Sequence, residues 1–154
     1  MTTGAVAAAA GFLLGVLWMD LMFDSQVRTG RGVLDEAVLS SIAGYYHRAT
    51  TGSRPRGALI AVVMASLLGL LGVEAVAGDS PRWLLVPSAV LAGGPILLAM
   101  VRTVPNAVRL GARRDDAGEQ SRLARAIYRD HLVCLAGISA FLALWLIGVL
   151  GWRN

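Results

Sequence analysis

GALIAVVMASLLGLLGVEAVAGDSPRWLLVPSAVLAGGPILLAMVRT, residues 57 to 103, holds two apolar runs separated by one short polar break. A helix needs about 20 apolar residues to cross roughly 30 Å of hydrocarbon, and each run is long enough for one crossing. Between them Asp79, Ser80 and Pro81 read as a tight turn, with Ser80 capping the next helix and Pro81 in its first turn. The stretch is therefore expected to be a transmembrane hairpin, Gly57 to Ala77 and then Trp83 to Thr103.

Outward from this hairpin lie two more runs of the same kind, Gly4 to Phe23 and His131 to Trp152. The first lacks the basic leader of a secretory signal and reads as a retained span. Composition agrees, since 56% of the 154 residues are hydrophobic and the mean hydropathy is +0.63, beyond what a soluble domain of this size carries. The expected fold is all-α: one membrane domain, residues 1–154, built as a four-helix bundle.

Charge sets the orientation. There is no lysine, and twelve of the 14 basic residues are arginines within 28–56 and 102–129, leaving only Arg82 and Arg153 elsewhere. By the positive-inside rule both long arginine loops face inward, so both termini and the short turn face out. An all-arginine basic set fits a GC-rich bacterial genome, and the expected location is the bacterial cytoplasmic membrane. Because the positive charge flanks spans, the partner it implies is the lipid bilayer and not nucleic acid. The single cysteine, Cys134, rules out an internal disulfide and a multi-cysteine metal site. It reads as a small buried apolar residue.

Neither arginine loop is a plain linker. In the first, Leu34, Val38, Ile42 and Tyr45 recur at steps of four or three, which predicts an amphipathic helix over 33–48, lying along the interface or docked under the bundle. The second loop is expected to extend the third helix through Pro105 and Asn106, break between Gly111 and Gly118, and resume into the fourth span. On that last helix Arg122, Arg125 and Arg129 share a face, either solvated among headgroups or clamping an acidic ligand. Small residues suggest close helix contacts: Ala7, Gly11 and Gly15 on the first span, Gly69 and Gly72 on the second, and Gly93 and Gly94 beside Pro95 on the third, with a kink there. Such faces fit a self-contained bundle and a homo-oligomer equally well.

Polar residues at membrane depth carry the functional signal, because an ionised side chain there costs about 3 kcal/mol unless it is paired or faces water. Asp20 and Asp24, four apart, share a face of the first helix; Arg102 closes the third, with Asn106 a turn beyond; Asp130 and His131 open the fourth. All collect at one depth, and His47 and Arg48 end the interfacial helix beside them. One reading is a set of ion pairs tying the bundle together, for example Asp20 or Asp24 with Arg102. The other is a pocket opening to the inner leaflet, with His131 as an acid/base group, since an ordinary imidazole titrates near neutrality. The spacing of His47, His131, Asp20 and Asp24 matches no metal-ligand motif, and neither histidine lies deep enough in a span for haem. With no phosphate loop, nucleophile elbow or HExxH motif either, no metal or cofactor is expected.

The back half of the chain reads Pro95-Ile96-Leu97-Leu98, Thr103-Val104-Pro105-Asn106, Arg109-Leu110, a polar loop, and then Tyr128-Arg129-Asp130-His131-Leu132 leading into an apolar helix. In the front half Gly11 and Gly15, Asp24, and Tyr46 with Arg48 and Ala49 stand out. This pattern resembles the anthrone oxygenase-like family of small four-helix membrane proteins. Three positions depart from it: Ser25 and Gln26 stand where a histidine and a proline often follow the acidic residue, and Cys134 stands where an arginine is common. The resemblance implies oxidation of an anthrone- or quinol-like aromatic by dioxygen without metal or flavin. On that reading His131 is the base, assisted by Asp130 or Asp24. Arg102 or Arg48 stabilises the substrate oxyanion, Asn106 orients it, and Trp18, Met19, Met22 and Tyr46 line an aromatic pocket that Asp20 borders.

Two other classes fit the same residues. One is a noncatalytic structural or assembly subunit that binds partner helices through its small-residue faces. The other is a small-solute or proton transporter, which needs a polar path past Glu74, where the second helix offers only Ser66 between Leu59 and Val73.

Overall fold

The computed structural model describes residues 2–29, 32–52, 54–78 and 80–152, and no strand occurs among them. The helices are α1 (Thr2–Asp24), α2 (Glu36–His47), α3 (Arg54–Ala77), α4 (Arg82–Leu98), α5 (Val104–Ala112) and α6 (Ala117–Trp152). A 3-10 turn, Ser25–Thr29, ends α1, and π-helical turns follow α2 at Arg48–Gly52 and α4 at Ala99–Thr103. Four stretches are long and apolar enough to cross a membrane, 3–28, 56–77, 82–112 and 117–149. The chain is an all-α bundle with the marks of a multi-pass membrane protein.

The four long helices form a ring. Helix α1 packs on α3 and α6, α4 packs on α3 and α6, and the diagonal pairs α1/α4 and α3/α6 do not meet among the described residues. Neighbours in the ring are consecutive or closing elements of an up-down-up-down chain, so every contact is antiparallel. Helix α6 rises about 1.5 Å per residue, so its 36 residues make a rod of about 54 Å, well past the roughly 30 Å of hydrocarbon. Its first turns project beyond the bundle at the arginine-rich end.

There α2, α5 and the start of α6 build a cap with its own core: Leu34, Leu39, Ile42, Tyr45, Tyr46, Leu110, Leu123 and Ile127 are buried together. The helix expected over 33–48 thus runs from Glu36 to His47 and docks under the bundle. Leu34 enters this core with its backbone N–H donating to Ser121 Oγ at 2.9 Å. Helix α5 continues the third span through Pro105 and Asn106, as the sequence suggested, and stops where Arg113 turns left-handed with φ 51°. A second core fills the opposite half of the bundle with Val6, Leu67, Leu84, Phe141 and Trp145. The functional residues lie where the two cores meet.

Two expectations about contacts need correction. Ser80 does not cap α4: its hydroxyl donates to Glu74 Oε1 at 2.9 Å, and Pro81 holds the cap position, its carbonyl accepting from Leu84 and Leu85. Asp79 of that turn and Arg153 of the outer arginine pair lie outside the described residues. Nor do the glycines of the first three spans mediate the tight packing. A Cβ added at Gly11, Gly15, Gly69, Gly72, Gly93 or Gly94 would meet nothing within 4 Å, because these positions face away from neighbouring helices. The close approaches are elsewhere: a Cβ on Gly137 would come 2.6 Å from the Pro95 ring, and one on Gly111 2.8 Å from the backbone nitrogen of His47. Those glycines set the α4/α6 and α2/α5 distances.

Candidate functional site

Helix α1 turns one stripe inward, Val6, Ala10 and Leu13 and then Asp20 and Asp24. Asp24 is fully buried, and each of its oxygens has a partner. Tyr46 of α2 donates its hydroxyl to Oδ1 at 2.6 Å, and His131 Nδ1 of α6 lies 2.6 Å from Oδ2. In a neutral imidazole, a carboxylate accepting at that nitrogen fixes the proton on Nδ1. Nε2 is then left as an acceptor with no hydrogen-bond partner among the described residues.

One turn earlier, Asp20 Oδ1 accepts the hydroxyl of Tyr45 and Nη2 of Arg56 at 3.2 Å. The same Nη2 donates to the Tyr45 hydroxyl at 2.7 Å. The Arg56 guanidinium carbon sits 5.5 Å from the Tyr45 ring centre, within cation-π range. Tyr45 in turn stacks on Phe23 at 4.1 Å and meets Tyr46 edge-on at 5.2 Å. Burial pushes the Tyr45 phenol up to about 12, helped by the neighbouring Asp20 carboxylate. Burial and then the Asp24 carboxylate hold Tyr46 well above the usual phenol range. Both tyrosines are therefore obligate donors over the physiological pH range.

Next to these groups is a cavity of about 630 Å³ enclosed by all four long helices at the arginine-rich half of the bundle. Its wall is apolar for most of its extent, with Leu13 and Leu17 from α1, Ile60 and Met64 from α3, Ile96 from α4 and Ile138 from α6. The polar end consists of Asp20, Tyr46, Thr50, Arg56, Thr103 and His131. Both π-helical turns contribute wall residues, Ala49 and Thr50 from the first and Ala99, Met100 and Thr103 from the second. Turns of this type often mark functional positions. Five wall residues are also exposed: Gly57 and Ala61 on α3, and Met100, Val104 and Val108 beyond α4. Helix α3 contacts α4 but neither the second π turn nor α5. The two spans therefore diverge from their shared turn, and the cavity opens sideways between them at the arginine-rich end.

Comparisons with family models, curated proteins and solved structures found no match.

Of the residues singled out from sequence, His131, Asp24, Asp20 and Tyr46 meet in this site. Asp130 and Arg102 pair with each other instead, Arg102 Nε to Asp130 Oδ2 at 3.2 Å, with Thr103 Oγ1 3.5 Å from the same oxygen. Neither lines the cavity, and Arg102 pairs with neither Asp20 nor Asp24, because α1 and the third span are diagonal in the ring. Trp18 and Met22 are 65% exposed and Met19 40%, so they face outward and do not line the pocket. Arg48 is exposed, and Asn106, half-buried on α5, is not part of the wall. Tyr45 and Arg56 belong to the site although sequence reading assigned them elsewhere, Tyr45 to the amphipathic face of α2 and Arg56 to the basic loop. Among the described residues no group of three or more His, Cys, Asp or Glu side chains converges as a metal site.

Proposed function

We propose that this chain binds a lipophilic aromatic molecule drawn from the membrane and removes a proton from it with His131. The observation that carries the reading is His131 itself. It stands on the wall of an apolar cavity with Nδ1 held by the buried Asp24 carboxylate, an arrangement that leaves Nε2 to act as a base. The cavity volume of about 630 Å³ falls in the roughly 300 to 1,000 Å³ range of small-molecule sites. The sideways opening suits a ligand dissolved in lipid.

The finer reading is a cofactor-independent oxygenase of anthrone- or quinol-like substrates, which rests on the resemblance described above. Proton loss from the methylene of an anthrone gives a carbanion delocalised into a phenolate. That anion passes one electron to dioxygen, the resulting radicals join in a C–O bond, and loss of water from the hydroperoxide leaves a ketone. The balance is CH2 plus O2 to C=O plus H2O. The protein supplies the base, an apolar enclosure and donors for the anion. The location proposed for this activity is the bacterial cytoplasmic membrane, with the arginine-rich end inside and both termini outside.

A noncatalytic subunit is the second reading, favoured by the outward-facing Gly11, Gly15, Gly69 and Gly72, which leave room for partner helices. For a transport path the support is weaker, since Val6, Leu67, Leu84, Phe141 and Trp145 fill the bundle beyond the cavity. The test is turnover of dithranol, a dihydroxyanthrone, to its anthraquinone by purified protein in mild detergent. Conversion above the spontaneous rate that is lost in His131→Gln supports the oxygenase. A rate equal to the background, with a stoichiometric partner chain copurifying, refutes it in favour of the subunit.

A further inference from the structure

We infer that Arg56 is a second anchor in the cavity, holding an oxygen of the bound molecule, and that the ligand class is an uncharged lipophile whose hydroxyl or carbonyl oxygen becomes anionic when the proton leaves. This rests on the ligand-site reading above and assigns the anion-holding role to a residue that neither sequence pattern nor resemblance picked out.

Three observations carry it. Arg56 is the only arginine on the cavity wall among the described residues. Both of its hydrogen bonds to described residues run from Nη2, to Asp20 Oδ1 and to the Tyr45 hydroxyl. A guanidinium carries five N–H groups in a fixed plane, so Nη1 and Nε keep three donors without a partner among the described residues. The cation is also pinned: Asp20 holds one edge, and the Tyr45 ring, itself stacked on Phe23, lies within cation-π distance. A fixed cation with spare donors at the polar end of an apolar cavity suits stabilisation of charge that develops on a ligand, because no reorganisation is needed when the charge appears.

Charge accounting narrows the ligand. The titratable wall groups are Asp20, Tyr46, Arg56, His131 and Cys134, with Asp24 directly behind His131. Asp20 already offsets Arg56, so with a neutral imidazole at His131 the described wall groups hold no surplus positive charge to draw in a lipid acid. A neutral ligand meets no such obstacle. Once its proton moves to His131, the new imidazolium is matched by Asp24, and the ligand anion is left beside Arg56. Phenols, quinols and hydroxylated aromatic ketones fit this description.

The experiment uses alizarin, a dihydroxyanthraquinone whose colour reports its ionisation, titrated with pH while bound to the full chain in mild detergent. A cation within about 4 to 6 Å lowers the pKa of an acid by about 1 to 3 pH units. The dye bound to wild type is therefore expected to ionise lower than in empty micelles by about that amount. Arg56→Gln is expected to bind the dye through the same apolar walls and lose the shift, and Arg56→Lys to keep most of it. An unshifted or raised ionisation on wild type, or an Arg56→Gln variant that titrates as wild type does, overturns the role of Arg56 while leaving the ligand site standing. Failure of the dye to bind wild type at all overturns the ligand site, and this inference with it.

Discussion

Replacing Asp24 with Asn keeps the volume of the buried hub and changes only what its two terminal atoms do. In the wild type both are acceptors, one for the Tyr46 hydroxyl at 2.6 Å and one facing His131 Nδ1 at 2.6 Å. An amide offers one acceptor and one donor group. If the oxygen stays with Tyr46, the NH2 faces Nδ1, which must give up its proton and accept. The imidazole proton then moves to Nε2, and the base is lost from the cavity side. A positioned general base contributes about 10²- to 10⁴-fold, so Asp24→Asn is expected to lower dithranol turnover by that factor while alizarin still binds. A hydrogen bond to a charged group contributes about 1.5 to 3 kcal/mol and a neutral one about 1 kcal/mol, so converting two of them costs about 2 kcal/mol. Asp24→Ala instead strands the Tyr46 hydroxyl and His131 Nδ1, at about 1 to 3 kcal/mol each, and should unfold at a clearly lower temperature than the Asn variant. The decisive assay is nitrogen-15 NMR of histidine-labelled protein, in which only His47 and His131 contribute signals. His131 should be Nδ1–H in the wild type and Nε2–H in Asp24→Asn. An unchanged tautomer, or turnover that survives the substitution, refutes the claim that Asp24 orients the base.

Three further outcomes follow from the same geometry. Gly111→Ala, whose Cβ would sit 2.8 Å from the His47 nitrogen, should cost about 1 to 3 kcal/mol through forced separation of α2 and α5; Gly11→Ala, open to more than 4 Å, should be neutral or stabilise by up to about 1 kcal/mol through helix propensity. Thermal unfolding of the two variants compares them directly. The raised phenols of Tyr45, at about 12, and Tyr46 bind protons more tightly folded than unfolded, so their contribution is full below about pH 10, the ordinary phenol value. It falls as pH rises through the folded values, and in a Tyr128→Phe background, which leaves Tyr45 and Tyr46 as the remaining tyrosines, phenolate absorbance should appear together with loss of helical structure, not before it. In a Cys134→Ala background, a cysteine placed at the exposed Arg114 should react with an impermeant maleimide only after the membrane is opened, as the arginine-inside orientation requires.

The fold was legible because a bilayer forces long apolar runs, and the α2 register was legible because one face of that helix is wet. Leu34, Ile42 and Tyr45 are buried and Val38 packs beside them. Facing in spans was harder to read, since a lipid-exposed helix is apolar all round and periodicity is silent. Yet the two carboxylates on α1 did mark its inward stripe. Trp18 and Met22 each lie two residues from Asp20, about 200° around a helix of 3.6 residues per turn, which places them on the opposite side. Depth along a span can be read from sequence, but position around the ring cannot. Asp24 and Arg102 share a depth, yet α1 sits diagonal to the third span, so Asp24 bonds to α2 and α6, and Arg102 to Asp130. Arg56 was hidden by its setting, because an arginine at the start of a span satisfies the positive-inside rule whether or not it also faces a cavity.

The measurement that bears most directly on the central claim is calorimetric titration of alizarin into wild type and into Cys134→Phe. Cys134 is the chain's single cysteine, it lines the cavity one turn from His131, and a phenyl ring there would occupy the ligand's space. The account predicts saturable one-to-one binding to wild type and its loss in a Cys134→Phe protein that remains folded. No saturable binding to wild type, or equal binding by both proteins, would contradict it.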